Sequence, residues 1–99
     1  MSWTSGYVAD IDYTHGYYRE LNPLMLALAS VHAGLRFQVP QGLRYLELGF
    51  GQGLSLNIHA AALGGEFWGV DLNPSHAAQA QEMARASGSG LRICDSTFE

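Results

Sequence analysis

The sequence predicts an α/β fold, a parallel sheet carrying helices, with one further helix at the N-terminal side. Three observations lead there. Strand-like apolar runs at 44–48, 66–71 and 91–94 alternate with helix-like stretches, at a spacing that suits right-handed crossovers between parallel strands. Three glycines, Gly49, Gly51 and Gly53, follow the first run within five positions. Acids stand at the ends of the second and third runs, Asp71 and Asp95.

The elements follow in order. Residues 1–18 are irregular and aromatic-rich, with Trp3, Tyr7, Tyr13, Tyr17 and Tyr18. Asn22 is a good N-cap and Pro23 suits the first helical position. A helix is predicted over 23–33, with Leu21, Leu24, Met25, Leu28, His32 and Leu35 forming one apolar face. Gly34 suits its stop. FQVPQGLR is a connection, and RYLEL (44–48) is the first strand. Leu54–Leu63 is apolar nearly all round, as in a helix buried against a sheet. Gly64 and Gly65 end it, and EFWGVD (66–71) is the second strand. Asn73 and Pro74 repeat the cap-then-proline signal. The helix that follows, SHAAQAQEMARAS, has Ala77, Ala80, Met83 and Ala84 inside. After Gly88 and Gly90, LRIC (91–94) is the third strand. An open α/β sheet usually has more than three strands, so the chain is expected to be about half of a doubly wound domain.

Composition removes several function classes. The chain has 99 residues and a net charge of −4. Its five basic residues are all arginines (19, 36, 44, 85 and 92), scattered singly. That pattern disfavours nucleic-acid binding, which needs a basic patch. With no lysine, there is neither a P-loop lysine nor a Schiff-base lysine. Cys94, the single cysteine, is expected as a small core residue, which excludes an internal disulfide and points to the cytoplasm. No apolar run approaches the ~20 residues of a membrane span, and no secretory leader is visible. No histidine–carboxylate set has metal-ligand spacing. His32 reads as a core histidine. His59 and His76 read as surface or packing residues, and His15 is the histidine to test as an acid–base group.

The glycine turn admits several chemistries. A ligand in a parallel sheet binds beyond the carboxyl ends of the strands. Glycines there allow positive φ and close approach of backbone. A Walker loop fails because, counted from Gly49, Leu54 and Ser55 occupy its second glycine and lysine positions. The dinucleotide fingerprint fits Gly49 and Gly51 but meets Leu54 at its last, small position. The third glycine comes one residue early, giving Glu47, Gly49, Gly51, Gly53. Asp71 lies 22 residues after Gly49, where a carboxylate can accept from ribose hydroxyls. Glu47, Asp71 and Asp95 then bring three acids to one sheet edge. Such an edge repels pyrophosphate and suits a nucleoside joined to a cationic amino-acid group. The plainer alternatives stay open: a simple tight turn, an acid capping the next loop, and for Glu47 a role in bracing the turn.

LELGFGQG (46–53), FWGVDLNP (67–74) and ICDSTFE (93–99) together resemble class I S-adenosylmethionine-dependent methyltransferases. The resemblance covers 44–99 and implies a Rossmann-like sheet. It implies that Gly49, Gly51 and Gly53 lie under the methionine part of the cofactor and that Glu47 orients its amino group. It further implies that Asp71 holds the ribose hydroxyls, Leu72 lies against the adenine, and Asp95 with the backbone of Ser96 meets the adenine amino group. Phe50 departs from the small residue often found in the turn, and the strands that complete the family's sheet are missing. WTSGYVADIDYTHGYYRELNP is similar to the leader of a bacterial subgroup with a separate regulatory domain. On that likeness, 1–43 would cover the cofactor pocket, with Tyr13, Tyr17 and Tyr18 closing it, and 44–99 would be the first half of the cofactor-binding domain.

The expected function is therefore S-adenosylmethionine binding in a methyltransferase, with acceptor and catalytic residues unassigned. The alternative is an inactive module that acts through a protein partner, or through self-association by an exposed sheet edge.

Overall fold

The computed structural model describes residues 16–36 and 41–98. A 3-10 turn at Arg19–Leu21 leads into α1 (Pro23–His32). The alternating elements are β1 (Arg44–Leu48), α2 (Leu54–Leu63), β2 (Glu66–Asp71), α3 (Pro74–Ser87) and β3 (Arg92–Asp95). The three strands form a parallel sheet in the order β1-β2-β3. The expected α/β class, parallel sheet and helix positions are all present. β3 is shifted by one residue, because Leu91 turns into the core ahead of the ladder.

Local chemistry sets the element ends. Asn22 Oδ1 accepts from Leu24 N and opens α1. Asn73 Oδ1 accepts from Ser75 N and His76 N and opens α3. Each proline follows its cap, where its missing N–H costs nothing. Gly88, with φ 69°, closes α3 in the left-handed conformation.

Strand alternation decides what is covered. Tyr45, Phe67, Gly69 and Ile93 face the helices. Around them pack Phe50, Leu56, Ala60, Ala77, Ala80, Ala84 and Leu91 as one core. Gly69 makes room there, since a β-carbon on it would lie 2.9 Å from Phe50 Cδ2. Burying an aromatic or leucine side chain of this kind contributes roughly 1.5–3 kcal/mol.

The opposite sheet face is bare among the described residues. Leu46 and Leu48 are exposed on it, beside half-buried Trp68 and Val70. Trp68 Nε1 donates to Glu66 Oε1, Arg44 pairs with Glu66, and the Arg92 guanidinium stacks over the Trp68 ring. Cys94 lies exposed in β3, not in the core. Alternation from Ile93, which faces the helices, puts the thiol on the other side.

Three further expectations change. The apolar face read on α1 is exposed: Leu24, Met25, Leu28 and Leu35 all face outward, and His32 is an exposed residue rather than a core one. The helix packs chiefly on its own 3-10 turn. α2 is not buried evenly either. It buries Ser55, Asn57 and His59 and exposes Ile58, because these polar groups bond to neighbouring segments. Met83 is only half-buried in α3, and His76 takes an inner place beside Ala77, Ala80 and Ala84.

Candidate functional site

The site begins where β1 ends. Gly49 N donates to Val70 O (2.7 Å), so the turn is hooked onto β2 from its first residue. Gly49, Gly51 and Gly53 have φ of 72°, 65° and 80°, a region that L side chains adopt at a cost. Gly51 N donates to Asp71 Oδ2 (2.9 Å) and Gly53 N to Phe50 O (3.1 Å). The three glycine amides therefore all serve protein acceptors.

Gly53 has a second constraint. It is the N-cap of α2, and a β-carbon on it would lie 2.7 Å from Ala80 Cβ on α3. The close-packing position that a dinucleotide turn places at residue 54 is here at Gly53, which leaves room for Leu54. Phe50 is buried among Gly53, Gly69 and Leu56. Its bulk fills the core beneath the turn and does not project over it.

Asp71 ends β2 at 6% exposure. Its Oδ2 accepts from Gly51 N and its Oδ1 from Asn73 N (3.0 Å). The carboxylate joins the β1–α2 turn to the β2–α3 loop, so the bracing role considered for Glu47 belongs to Asp71. Ionised carboxylate oxygens carry about four acceptor sites in total, and the backbone takes one on each oxygen. Leu72 beside it is half-buried. Asp95 stands opposite Asp71 in the β2–β3 register and is exposed. Ser96 N donates to Asp71 O (3.0 Å), holding the chain after β3 against the same edge.

Glu47 lies earlier on β1, on the helix-covered face, at 9% exposure. Its hydrogen-bond partner is Tyr45, whose Oη is 3.1 Å from Glu47 Oε1 and 2.8 Å from Leu21 O. Burial pushes the Glu47 carboxyl above the usual carboxylate range, and the hydrogen bond from Tyr45 opposes that only in part. Burial, with Glu47 beside it, also raises the Tyr45 phenol.

Several site neighbours escaped the sequence reading. Ser55 Oγ accepts from Tyr18 N (2.7 Å) and lies 3.2 Å from Gly16 O, fixing the entering chain across the first turn of α2. His59, 1% exposed, meets Tyr17 Oη through Nε2 at 3.2 Å, with the rings edge to face. Tyr17 thus ties the entering chain to α2. Tyr13 and His15 lie outside the described residues. Phe98 Cζ lies 3.5 Å from where a Gly49 β-carbon would stand, so the tip of this aromatic ring sits beside the first glycine of the turn. Tyr45 had one legible signal: two residues before Glu47 on a strand, it shares its face.

No family model matches the chain. It is 37% identical over 102 aligned residues to an uncharacterized protein of Synechocystis sp.. That alignment takes in the whole of this chain and 20% of the relative, so the chain spans about a fifth of the relative's length. No described helix is long and apolar enough to cross a membrane.

Proposed function

We propose that this chain is the S-adenosylmethionine-binding part of a methyltransferase. The observation that carries the reading is the joint at Gly51 and Asp71. A glycine-rich turn and a buried acid are held together at the carboxyl ends of two adjacent parallel strands, where such sheets bind ligands. Because the glycine amides already serve Val70, Asp71 and Phe50, they form no free cradle for a pyrophosphate. Acids at 71 and 95 favour a nucleoside over a phosphate.

The residues fit the cofactor. The acceptor sites of Asp71 that the described residues leave open suit ribose hydroxyls, and Leu72 is an apolar neighbour for adenine. Asp95 and Ser96 follow along the edge, and Glu47 supplies a carboxyl for the amino group. The bound cofactor would supply an electrophilic methyl group on sulfonium. The chain's residues would hold and orient it, since positioning supplies much of the rate in such transfers. The acceptor and its binding residues are not assigned.

A second reading rests on the bare sheet face, where Leu46 and Leu48 are exposed beside Trp68. An apolar face of this kind marks a contact surface, for a second copy or a protein partner through the face or the open strand edges.

Titrating the protein with S-adenosylhomocysteine and with NAD tests the choice. Binding of the first that Asp71→Ala abolishes is the expected outcome, whereas tight NAD binding would overturn the cofactor reading. If neither binds and the protein runs as a stable dimer, the second reading takes its place.

A further inference from the structure

Tyr45 has one proton and two acceptors. Its hydroxyl lies nearer to Leu21 O, at 2.8 Å, than to Glu47 Oε1, at 3.1 Å. A proton placed on the shorter contact leaves the Tyr45 oxygen as an acceptor facing Glu47. A neutral Glu47 then completes the chain by donating to Tyr45, which donates to Leu21. An ionised Glu47 would instead compete with Leu21 for the single tyrosine proton.

The surroundings favour the neutral acid. Burial raises the Glu47 carboxyl, and among the described residues what opposes it is a hydrogen bond donated by Tyr45, which is lost when the tyrosine proton goes to Leu21 O. Across β2, Glu47 stands opposite Gly69, and the next residue on that strand face is the acid Asp71. His59 of α2 is turned to Tyr17, and His76 of α3 lies against Asn73. Arg19 pairs with Glu20, and Arg44 pairs with Glu66 on the bare face. Among the described residues no cation balances a charge on Glu47.

We propose that Tyr45 and Glu47 form a proton-holding pair in the unliganded protein, and that the ammonium group of an amino-acid-bearing nucleoside takes the place of the Glu47 proton on binding. The proposal rests on the cofactor reading above. Tyr45 acts as a positioning residue: it holds the neutral acid toward the 3-10 turn until a cation arrives. Binding forms an ammonium–carboxylate contact and breaks the Glu47 O–H bond, and the proton passes to solvent. A nucleoside without the amino-acid group gains nothing from this step, so the pair selects for the charged end of the ligand.

The test has two parts on the full chain. The first uses carbon-detected NMR of the Glu47 carboxyl in the unliganded protein. Tyr45→Phe removes the acceptor for the neutral acid and is expected to lower the Glu47 midpoint. If the midpoint rises instead, Tyr45 was donating to a carboxylate and the pair does not exist. Tyr45→Phe keeps the ring against Phe67, and the midpoint is read only on protein whose remaining spectrum is unchanged.

The second part measures affinity from pH 4.5 to 7.5 for S-adenosylhomocysteine and for 5′-methylthioadenosine, which lacks the amino acid. Below the Glu47 midpoint, S-adenosylhomocysteine affinity is expected to rise about tenfold per pH unit, with about one proton released. That for 5′-methylthioadenosine should not follow it. Parallel pH profiles for the two ligands would overturn the selection step. Failure of both ligands to bind at every pH would overturn the cofactor reading and the displacement step with it, and the Glu47 midpoints would still decide the pair.

Discussion

Gly51 donates its backbone N–H to Asp71 Oδ2 across 2.9 Å, joining residues 20 apart in the chain. Asp71 Oδ1 accepts from Asn73 N at the same time. One buried carboxylate therefore sets the geometry of both loops at the head of the sheet. A bond from an N–H to a charged acceptor is stronger than one between neutral groups, and a site built this way is ordered before any ligand arrives.

Asp71→Ala is expected to destabilise the fold by about 2–4 kcal/mol, because two buried amides lose a charged acceptor. Asp71→Asn should rescue little of this, since its NH2 would face one of the two amides. Urea unfolding measures both variants. Should Asp71→Asn match the parent in midpoint and slope, the carboxylate does not brace the loops.

Gly53→Ala places a methyl group against Ala80 in a backbone conformation with φ 80°. The two effects should together cost about 2–5 kcal/mol, from roughly 1–2 for the left-handed backbone and 1–3 for overpacking. Adding Ala80→Gly should relieve the contact but not the backbone strain. A double-mutant cycle separates these contributions, and the absence of coupling would show that the helices part freely.

His59 supplies a pH-dependent term. Burial lowers its pKa from the ordinary 6.5, so the folded protein prefers the neutral ring. The unfolded chain then binds more protons as pH falls below about 6.5, and stability must fall over that interval down to the folded pKa. His59→Gln removes the ring and should flatten this part of the stability profile. An unchanged slope would show that another group causes it.

Glu47 acts with the opposite sign. Its raised pKa means that its contribution to stability is present below 4.5 and is lost as pH rises through the folded value. Glu47→Gln, which is neutral at every pH, should leave stability near pH 4 almost unchanged and raise it at pH 7. Thermal unfolding at the two pH values reads the difference, and destabilisation at pH 7 would mean that the carboxylate has a compensating partner.

Leu46 and Leu48 give the bare face its apolar character. Converting both to threonine keeps strand propensity and removes most of that surface. If the face mediates self-association, sedimentation should show the dissociation constant raised at least about tenfold, the equivalent of ~1.4 kcal/mol. An unchanged constant would place the contact elsewhere.

What the sequence determined was local. Period-two and helical patterning, two Asn-Pro starts and paired glycines were enough to locate β1, β2 and the three helices. Glycine spacing and the acid after β2 located the turn and its partner. These signals lie within a few residues of what they specify, so they survive without tertiary context. The structure decided what depends on distant chain. Ala80, on another helix, explains why residue 53 must be glycine, and Gly69, on another strand, explains how the turn holds Phe50. The apolar faces of α1 and Cys94 read as interior, yet they are exposed because no described segment packs over them. Tyr17 and Tyr18, from the entering chain, meet His59 and Ser55 and make the polar side of α2 an inner surface. Hydropathy records what a side chain tends to avoid, whereas only the packed chain determines which neighbour it meets.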